Sequence, residues 1–239
     1  MTACIVTGSA SGNGLAIARR LLEDGHYVIG VDRSVTPIEA ASMVIVGDIL
    51  DTEKMEFAFL KAIACAEGTV YLVNNAGVTV PEFPQSDSAW ELTIDVNLKA
   101  PFQWSRLYSK YVTEGHIRAG GIIFIGSLAT SIGFPRNPAY QATKAGVLGL
   151  ARSFAFDLGA FGIRANCVSP GYIHTAMTHN SYTTPELHES RRKHTLLGRW
   201  GQPKDVANAV SFLCGPDSEY ISGINLPVDG GWLANGLIE

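Results

Sequence analysis

The sequence is short of the features that staple, charge or anchor a chain. Its 239 residues contain four cysteines, at 4, 65, 167 and 214, with no Cys-x-x-Cys spacing. That argues against a disulfide framework or a thiolate zinc site and predicts reduced, mostly buried thiols. No apolar run reaches the roughly 18–20 residues that span a bilayer. The start, Met1-Thr2 followed by Ala3-Cys4-Ile5-Val6, has neither the basic region nor the cleavage site of a secretory signal. A cytoplasmic location with no membrane partner is expected. Basic excess is also missing: 18 Lys and Arg stand against 22 Asp and Glu, a net charge of −4, so there is no electrostatic footprint for nucleic acid. Internal repeats, low-complexity tracts and linkers are absent too. What remains is 46% hydrophobic and 17% charged, enough apolar surface to bury the core of one domain over residues 1–239.

Strand and helix patterns alternate along the whole length, the signature of an α/β fold. Residues 3–7 read as a short buried strand that runs into Thr7-Gly8-Ser9-Ala10-Ser11-Gly12-Asn13-Gly14. Leu15, Ile17, Ala18, Leu21 and Leu22 then follow a helical period, and Gly25 closes the helix. Tyr27–Val31 is a second strand that ends at Asp32. Strand, glycine turn, helix, strand and terminal acid make a dinucleotide-binding fingerprint. Glycines allow positive φ and close backbone approach, and a helix N-terminus offers free N–H groups to a pyrophosphate. The acid arrives eighteen residues after Gly14, close to the expected interval of about 20.

Asp32 is placed to accept bonds from ribose hydroxyls, and its charge repels a 2′-phosphate, so NAD is favoured over NADP. Arg33 could pair with such a phosphate, but position 11 is serine and brings no second basic group. Further strands are expected at Met43–Val46, Thr69–Val73, Gly121–Gly126, Ile163–Val168 and Ile224–Val228. After the third strand, Asp48 either meets the adenine amino group or caps the helix that begins near Thr52. Asn74-Asn75-Ala76-Gly77 lies at the fourth strand's end, which faces the ligand crevice in a doubly wound sheet. Residues from Asp87 to about Gly115 read as helical, and Pro101 disturbs the helix around Asn97. Asn97 is then either structural or the holder of a water.

Tyr140 and Lys144 are one helical turn apart on one face, and Ser127 lies thirteen positions upstream of the tyrosine at a strand end. A phenol normally titrates near pH 10, and an ammonium beside it favours the phenolate. A proton-transfer site is therefore expected, with Ser127 donating to the same substrate oxygen. Leu128, Ala129, Ile132, Phe134 and Met177 suggest an apolar pocket, and Arg136, Asn137, His174 and His179 polar selection. Residues 172–200 break the pattern and read as a substrate-binding lid loop. Its histidines 174, 179, 188 and 194 are spaced 5, 9 and 6 apart, which matches no zinc pattern, and no metal is expected. The run Arg191-Arg192-Lys193 either meets an anionic substrate or forms a solvated helix face; the second reading is preferred. Pro203–Leu213 is a final helix.

Thr7–Gly14, Asp48, Asn74–Gly77, Asn97, Ser127, Tyr140–Lys144, and Pro170-Gly171 with Thr175 following, in this order and at these distances, resemble the short-chain dehydrogenase/reductase family over the whole chain. The resemblance implies a Rossmann-type, doubly wound seven-stranded parallel sheet, order 3-2-1-4-5-6-7, with helices on both faces. It implies Tyr140 as general acid/base, Ser127 positioning the substrate oxygen, Lys144 lowering the tyrosine pKa and bonding the nicotinamide ribose, and Asn97 holding a relay water. The implied cofactor set is Gly8, Ser11, Gly12, Asn13 and Gly14 in the turn, with Asp32, Arg33, Asp48 and Ile49. Asn75, Ala76 and Gly77, Tyr140 and Lys144, and Pro170, Gly171, Ile173 and Thr175 complete it. Asn13 departs from the family, which has an apolar residue there. The four-residue Tyr-to-Lys spacing argues for alcohol or carbonyl chemistry rather than the C=C reduction of enoyl reductases. The expected reaction is NAD-dependent oxidation of a small-molecule secondary alcohol, or reduction of its ketone. NADP-dependent carbonyl reduction is the alternative, and from another class a dinucleotide sensor without catalysis. A homotetramer, or a homodimer, paired through helices at about 100–114 and 140–160 is implied.

Overall fold

Ala3-Cys4-Ile5-Val6 is apolar at every position, and a strand can hide four such side chains only if both faces of its sheet are covered. The computed structural model, which describes residues 1–236, has that arrangement. Seven parallel strands, β1 (Thr2–Thr7), β2 (Tyr27–Asp32), β3 (Met43–Val46), β4 (Thr69–Asn74), β5 (Ala119–Ile125), β6 (Arg164–Pro170) and β7 (Asn225–Val228), form one sheet in the order β3-β2-β1-β4-β5-β6-β7. The helices are α1 (Gly12–Glu23), α2 (Thr52–Cys65), α3 (Asp87–Ile94), α4 (Ala100–Thr113), α5 (Pro138–Gly159), α6 (His179–Thr183), α7 (Pro185–His194) and α8 (Pro203–Cys214). Ala3 and Ile5 share a core layer with Phe59, Trp104 and Val147 of α2, α4 and α5. Cys4 and Val6 turn to the other face and pack with Ile17 and Leu21 of α1 and Val206 and Val210 of α8. The expected architecture and strand order are therefore present.

β1 and β4 are neighbours, with Val6 opposite Val73, although two strands separate them in sequence. The chain changes direction across the sheet here, so the crevice for a ligand opens between their carboxyl ends. Thr7 ties the two ends together: its hydroxyl donates to Val73 O at 3.3 Å and accepts from the N–H groups of Asn75 and Ala76 at 3.1 and 3.2 Å.

Two stretches differ from expectation. The helix expected from Asp87 to Gly115 is divided into α3 and α4 by a π-helical turn, Asp95–Lys99, whose wide hydrogen bond runs from Ala100 N–H to Asp95 O. Pro101, in the first turn of α4, has no N–H for the carbonyl of Asn97 four residues back, and the turn widens where that bond is lost. The segment 172–200, expected as a loop, holds α6 and α7. Pro185 starts α7, Glu186 lies in its first turn, and Arg191, Arg192, Lys193 and His194 fill its last. Those charges complement the helix dipole, and Arg192 also pairs with Glu189 at 2.7 Å, so the basic run belongs to a helix end.

Trp104 anchors the α2/α4/α5 layer. It is 1% exposed, its ring lies 5.8 Å from Phe59, and its indole N–H donates to Ile49 O at 2.9 Å. Trp104→Ala should lower unfolding stability by about 3–5 kcal/mol through the cavity and the orphaned carbonyl. The urea midpoint at constant m-value reads this directly; an unchanged midpoint would show that the layer does not depend on the indole.

Candidate functional site

The glycine turn is built by contact. Gly8 has φ +68° and Gly12 φ +52°, conformations that L side chains rarely adopt. A Cβ on Gly14 would lie 1.9 Å from Gly8 O and 2.4 Å from Asn75 Nδ2. The Asn75 amide donates to Thr7 O at 3.0 Å and Gly8 O at 3.1 Å, so Asn75 acts by pinning the turn to the end of β4. Helix α1 begins there with Ser11 as N-cap, no side-chain bond to its free N–H groups and no acid in its first turn. By contrast α2 is capped by Asp51 and α3 by Ser86. An uncapped helix start facing a cleft, with backbone stripped of side chains beside it, fits a pyrophosphate.

A cleft of about 450 Å³ opens from this turn to the end of β5. Gly8, Ser11, Gly12, Asn13, Gly14, Asp32, Arg33, Asp48, Ile49, Asn75, Ala76, Gly77, Tyr140, Lys144, Pro170, Gly171, Ile173, Thr175 and Ser127 all line it. The Asp32 carboxylate accepts from Ala10 N–H at 3.0 Å and Ser34 N–H at 2.9 Å, one bond to each oxygen, so both oxygens keep a lone pair for hydroxyl donors. Asp48 accepts from Leu50 N–H at 2.9 Å, whereas the cap of α2 is Asp51, bonded to Glu53 and Lys54 N–H at 3.0 and 3.2 Å. Of the two readings left open for Asp48, the helix cap is thereby removed.

Asn97 is 1% exposed and does not line the cleft with its amide. Its Oδ1 accepts from Val78 N–H and its Nδ2 donates to Val78 O, both at 2.8 Å. The side chain clamps the loop after β4, and Pro101 offers no N–H to the Asn97 backbone carbonyl four residues back. Gly77 lies between this clamp and the lysine: a Cβ there would be 3.3 Å from Asn97 Oδ1 and 3.7 Å from Lys144 Nζ.

Lys144 is 5% exposed, donates from Nζ to Ile125 O at 2.7 Å and sits 5.6 Å from the Tyr140 ring centroid. Ser127 ends the extended run after β5 and its hydroxyl accepts from Ala129 N–H at 3.2 Å. Burial pushes the Tyr140 phenol above its ordinary value, and its hydrogen bond with Ser127 opposes that rise. The causes resolved for the phenol are burial and Ser127, and Lys144 is not among them. Burial depresses the ammonium itself, from near 10.5 to about 8, and its bond goes to a backbone carbonyl rather than to the phenol. Desolvation is the largest cause for both groups, raising the phenol and lowering the ammonium.

The depressed lysine carries a stability signature. Its folded-state pKa lies below that of the unfolded chain, so between about pH 8 and 10.5 the unfolded state holds more protons, and stability rises with pH across that window. Relative to Lys144→Met, the wild-type unfolding free energy should climb from pH 8 to 10.5 by at most about 3 kcal/mol. Denaturant titrations of both proteins across this range test it; a constant difference would contradict a buried, depressed lysine.

Several side chains expected in the substrate pocket have other duties. Leu128 and Ala129 are buried in the core at 3% and 0% exposure. Asn137 caps α5 by accepting from Tyr140 N–H, and donates to Thr79 Oγ1 at 2.7 Å. Phe134 N–H bonds Gln141, while Ile132 and Arg136 are exposed. His174 stacks on Tyr182 at 3.6 Å, His188 on Trp200 at 5.5 Å, and His194 lies 4.1 Å from Trp232. With Tyr172 packed on both tryptophans, the histidines form rungs of an aromatic ladder along the segment 172–200. Met177 does line the cleft, together with Val78, Leu92 and Val96, three residues absent from the sequence expectation. Val78 directly follows Gly77 at the end of β4, and the crevice rule alone would have reached it. Leu92 is 48% exposed on α3, and no local pattern marks an outward leucine as a cleft wall.

A doubly wound sheet with an uncapped glycine turn, an acid closing β2 and a Ser-Tyr-Lys set at the same crevice defines a nicotinamide-dinucleotide-dependent oxidoreductase. Comparison with known proteins makes the assignment specific. Residues 8–233 match the family model described as enoyl-(acyl carrier protein) reductase. The 3-oxoacyl-acyl-carrier-protein reductase of Mycobacterium tuberculosis is 37% identical over 236 residues, 95% of this chain and 91% of that protein. The structure of 4-hydroxyisoleucine dehydrogenase complexed with NADH superposes with a TM-score of 0.87 at 29% identity, covering 98% of this chain and 99% of the other. A putative 2-deoxy-D-gluconate 3-dehydrogenase of Agrobacterium tumefaciens with bound NADP does so at 0.86 and 31%, covering 98% and 96%. The chain belongs to the short-chain dehydrogenase/reductase family.

Proposed function

We propose that the protein is an NAD-dependent dehydrogenase that interconverts a secondary alcohol and its ketone, with Asn97, Ser127, Tyr140 and Lys144 as its catalytic set. The observation that carries this reading is the meeting of Ser127, Tyr140 and Lys144 on one wall of the cleft whose other end is the glycine turn. The bound dinucleotide supplies the acceptor for the carbinol hydride. Ser127 donates a hydrogen bond to the substrate oxygen. Tyr140 takes the alcohol proton as base in oxidation, or gives it back as acid in reduction. Lys144 keeps a donor beside the phenol and the cofactor ribose, and the Asn97 carbonyl holds the water through which the proton leaves.

The raised phenol favours the acid form at neutral pH, so alcohol oxidation should quicken as pH rises. Asp32 with its free lone pairs supports NAD; Arg33, exposed beside it, is the feature that favours the second reading, NADP. The reaction class fits relatives named for 3-oxoacyl, hydroxy-amino-acid and sugar-acid chemistry. Residues 172–200 would close over the substrate as a helical lid. Exposed Phe102 on α4 and Phe156 on α5 suit pairing of subunits into a homotetramer through those helices. Among the described residues no helix is long and apolar enough to cross a membrane.

The test is a screen of secondary alcohols and ketones with NAD(H) and NADP(H), followed at the absorbance band of the reduced nicotinamide. Turnover with NAD several-fold faster than with NADP is expected. Cofactor binding without turnover of any alcohol or ketone would leave the sensor reading instead.

A further inference from the structure

The one residue of the glycine turn that departs from the family pattern is also the one left unsatisfied. Asn13 is the second residue of α1, between Gly12 and Gly14, and lines the cleft. Its Oδ1 is buried without a hydrogen-bond partner. An amide carries one acceptor and two donors, so with its oxygen turned into the protein the NH2 group is the part left to meet a ligand. The free N–H groups of the first turn of α1 face the same place, with neither a capping side chain nor an acid to occupy them. Thr175 of the lid closes the other side, with its Cγ2 3.4 Å from where a Cβ on Gly12 would stand.

We propose that the Asn13 carboxamide is a direct contact to the pyrophosphate, donating from Nδ2 beside the backbone N–H groups of α1. This rests on the reading of the cleft as a dinucleotide site. Pyrophosphate oxygens only accept, which suits an NH2 group and the positive helix end together. The apolar side chain usual in the family can make no such bond. Asn13 therefore trades stability of the ligand-free protein, through its orphaned oxygen, for affinity toward the cofactor.

Two variants and two ligands test this. Asn13→Leu removes the orphaned oxygen and the donor at once; Asn13→Asp keeps the shape but places a charge beside the phosphates. Calorimetric titrations with NAD and with ADP-ribose, which has the pyrophosphate but no nicotinamide, give the dissociation constants. Thermal unfolding without ligand gives Tm. Asn13→Leu should raise Tm by about 2–4 °C and weaken both ligands by about tenfold or more. Asn13→Asp should weaken both further. Equal affinity of wild type and Asn13→Leu would overturn the proposal, as would a loss confined to NAD, which would place the contact at the nicotinamide end. An unchanged or lower Tm would overturn the stability trade. Failure of the wild type to bind NAD, NADP or ADP-ribose would instead refute the dinucleotide reading itself.

Discussion

Tyr140→Phe should lower kcat by about 10²–10⁴-fold, the range that a positioned general acid/base contributes. NAD should still bind within about twofold of wild type. The substitution removes a single oxygen. The ring stays where α5 holds it, 5.6 Å from the Lys144 ammonium, and the bond from Lys144 to Ile125 O does not pass through the phenol. Only the proton path and the partner of Ser127 are lost. Steady-state rates across pH, with fluorescence titration of the reduced cofactor, separate chemistry from binding. Since burial raises the phenol pKa, the rise of wild-type oxidation with pH should disappear in whatever activity the variant keeps. Retention of kcat within tenfold would remove Tyr140 from the catalytic role.

The second large effect comes from one carbon atom. Gly14→Ala would place a methyl group 1.9 Å from Gly8 O and 2.4 Å from Asn75 Nδ2. Neither neighbour can yield cheaply. Gly8 N–H is bonded to Val31 O at 2.8 Å, and the Asn75 amide holds the carbonyls of Thr7 and Gly8. The turn must shift as a body, by an amount on the scale that costs about a hundredfold in a site built on placement. NAD affinity should therefore fall by about 100-fold or more, with roughly 1–3 kcal/mol lost from stability by overpacking. Calorimetric titration and urea unfolding measure the two losses. An alanine variant that binds NAD normally would mean that the close contact is not needed to shape the cradle.

These two predictions lie at opposite ends of what could be read from residues alone. The glycine turn was legible because its signals are local: an apolar strand, glycines where positive φ is needed, a 3.6-residue period and Asp32 at the right interval. Tyr140 and Lys144 were legible as neighbours for the same reason, being one turn apart. Their electrostatics were not, because burial and the Ile125 carbonyl come from β5, distant in sequence. Asn97 could be named but not assigned, since its amide is held by Val78, nineteen residues earlier. Asp48 stayed open between an adenine contact and the cap of α2, because the true cap, Asp51, is another acid only three residues on. The segment 172–200 misled most. A polar stretch with four histidines reads as loop, yet its order comes from ring stacking among Tyr172, Tyr182, Trp200 and Trp232, which no local period announces.

The π-helical turn at Asp95–Lys99 has a consequence for how the two halves of the cleft are kept in phase. One residue more than α-geometry needs is wound into that turn, and each residue advances a helix by about 100°. The turn thus acts as an angular offset between α3, which carries Leu92 to the cleft, and α4, which carries Trp104 into the core. Removing one residue would rotate Leu92 away from the cleft by about 100° while Trp104 stayed fixed. The position of Asn97 thus depends on helical phase as much as on residue identity: an asparagine in a straightened helix would no longer meet Val78, and the loop carrying Gly77 would lose its clamp.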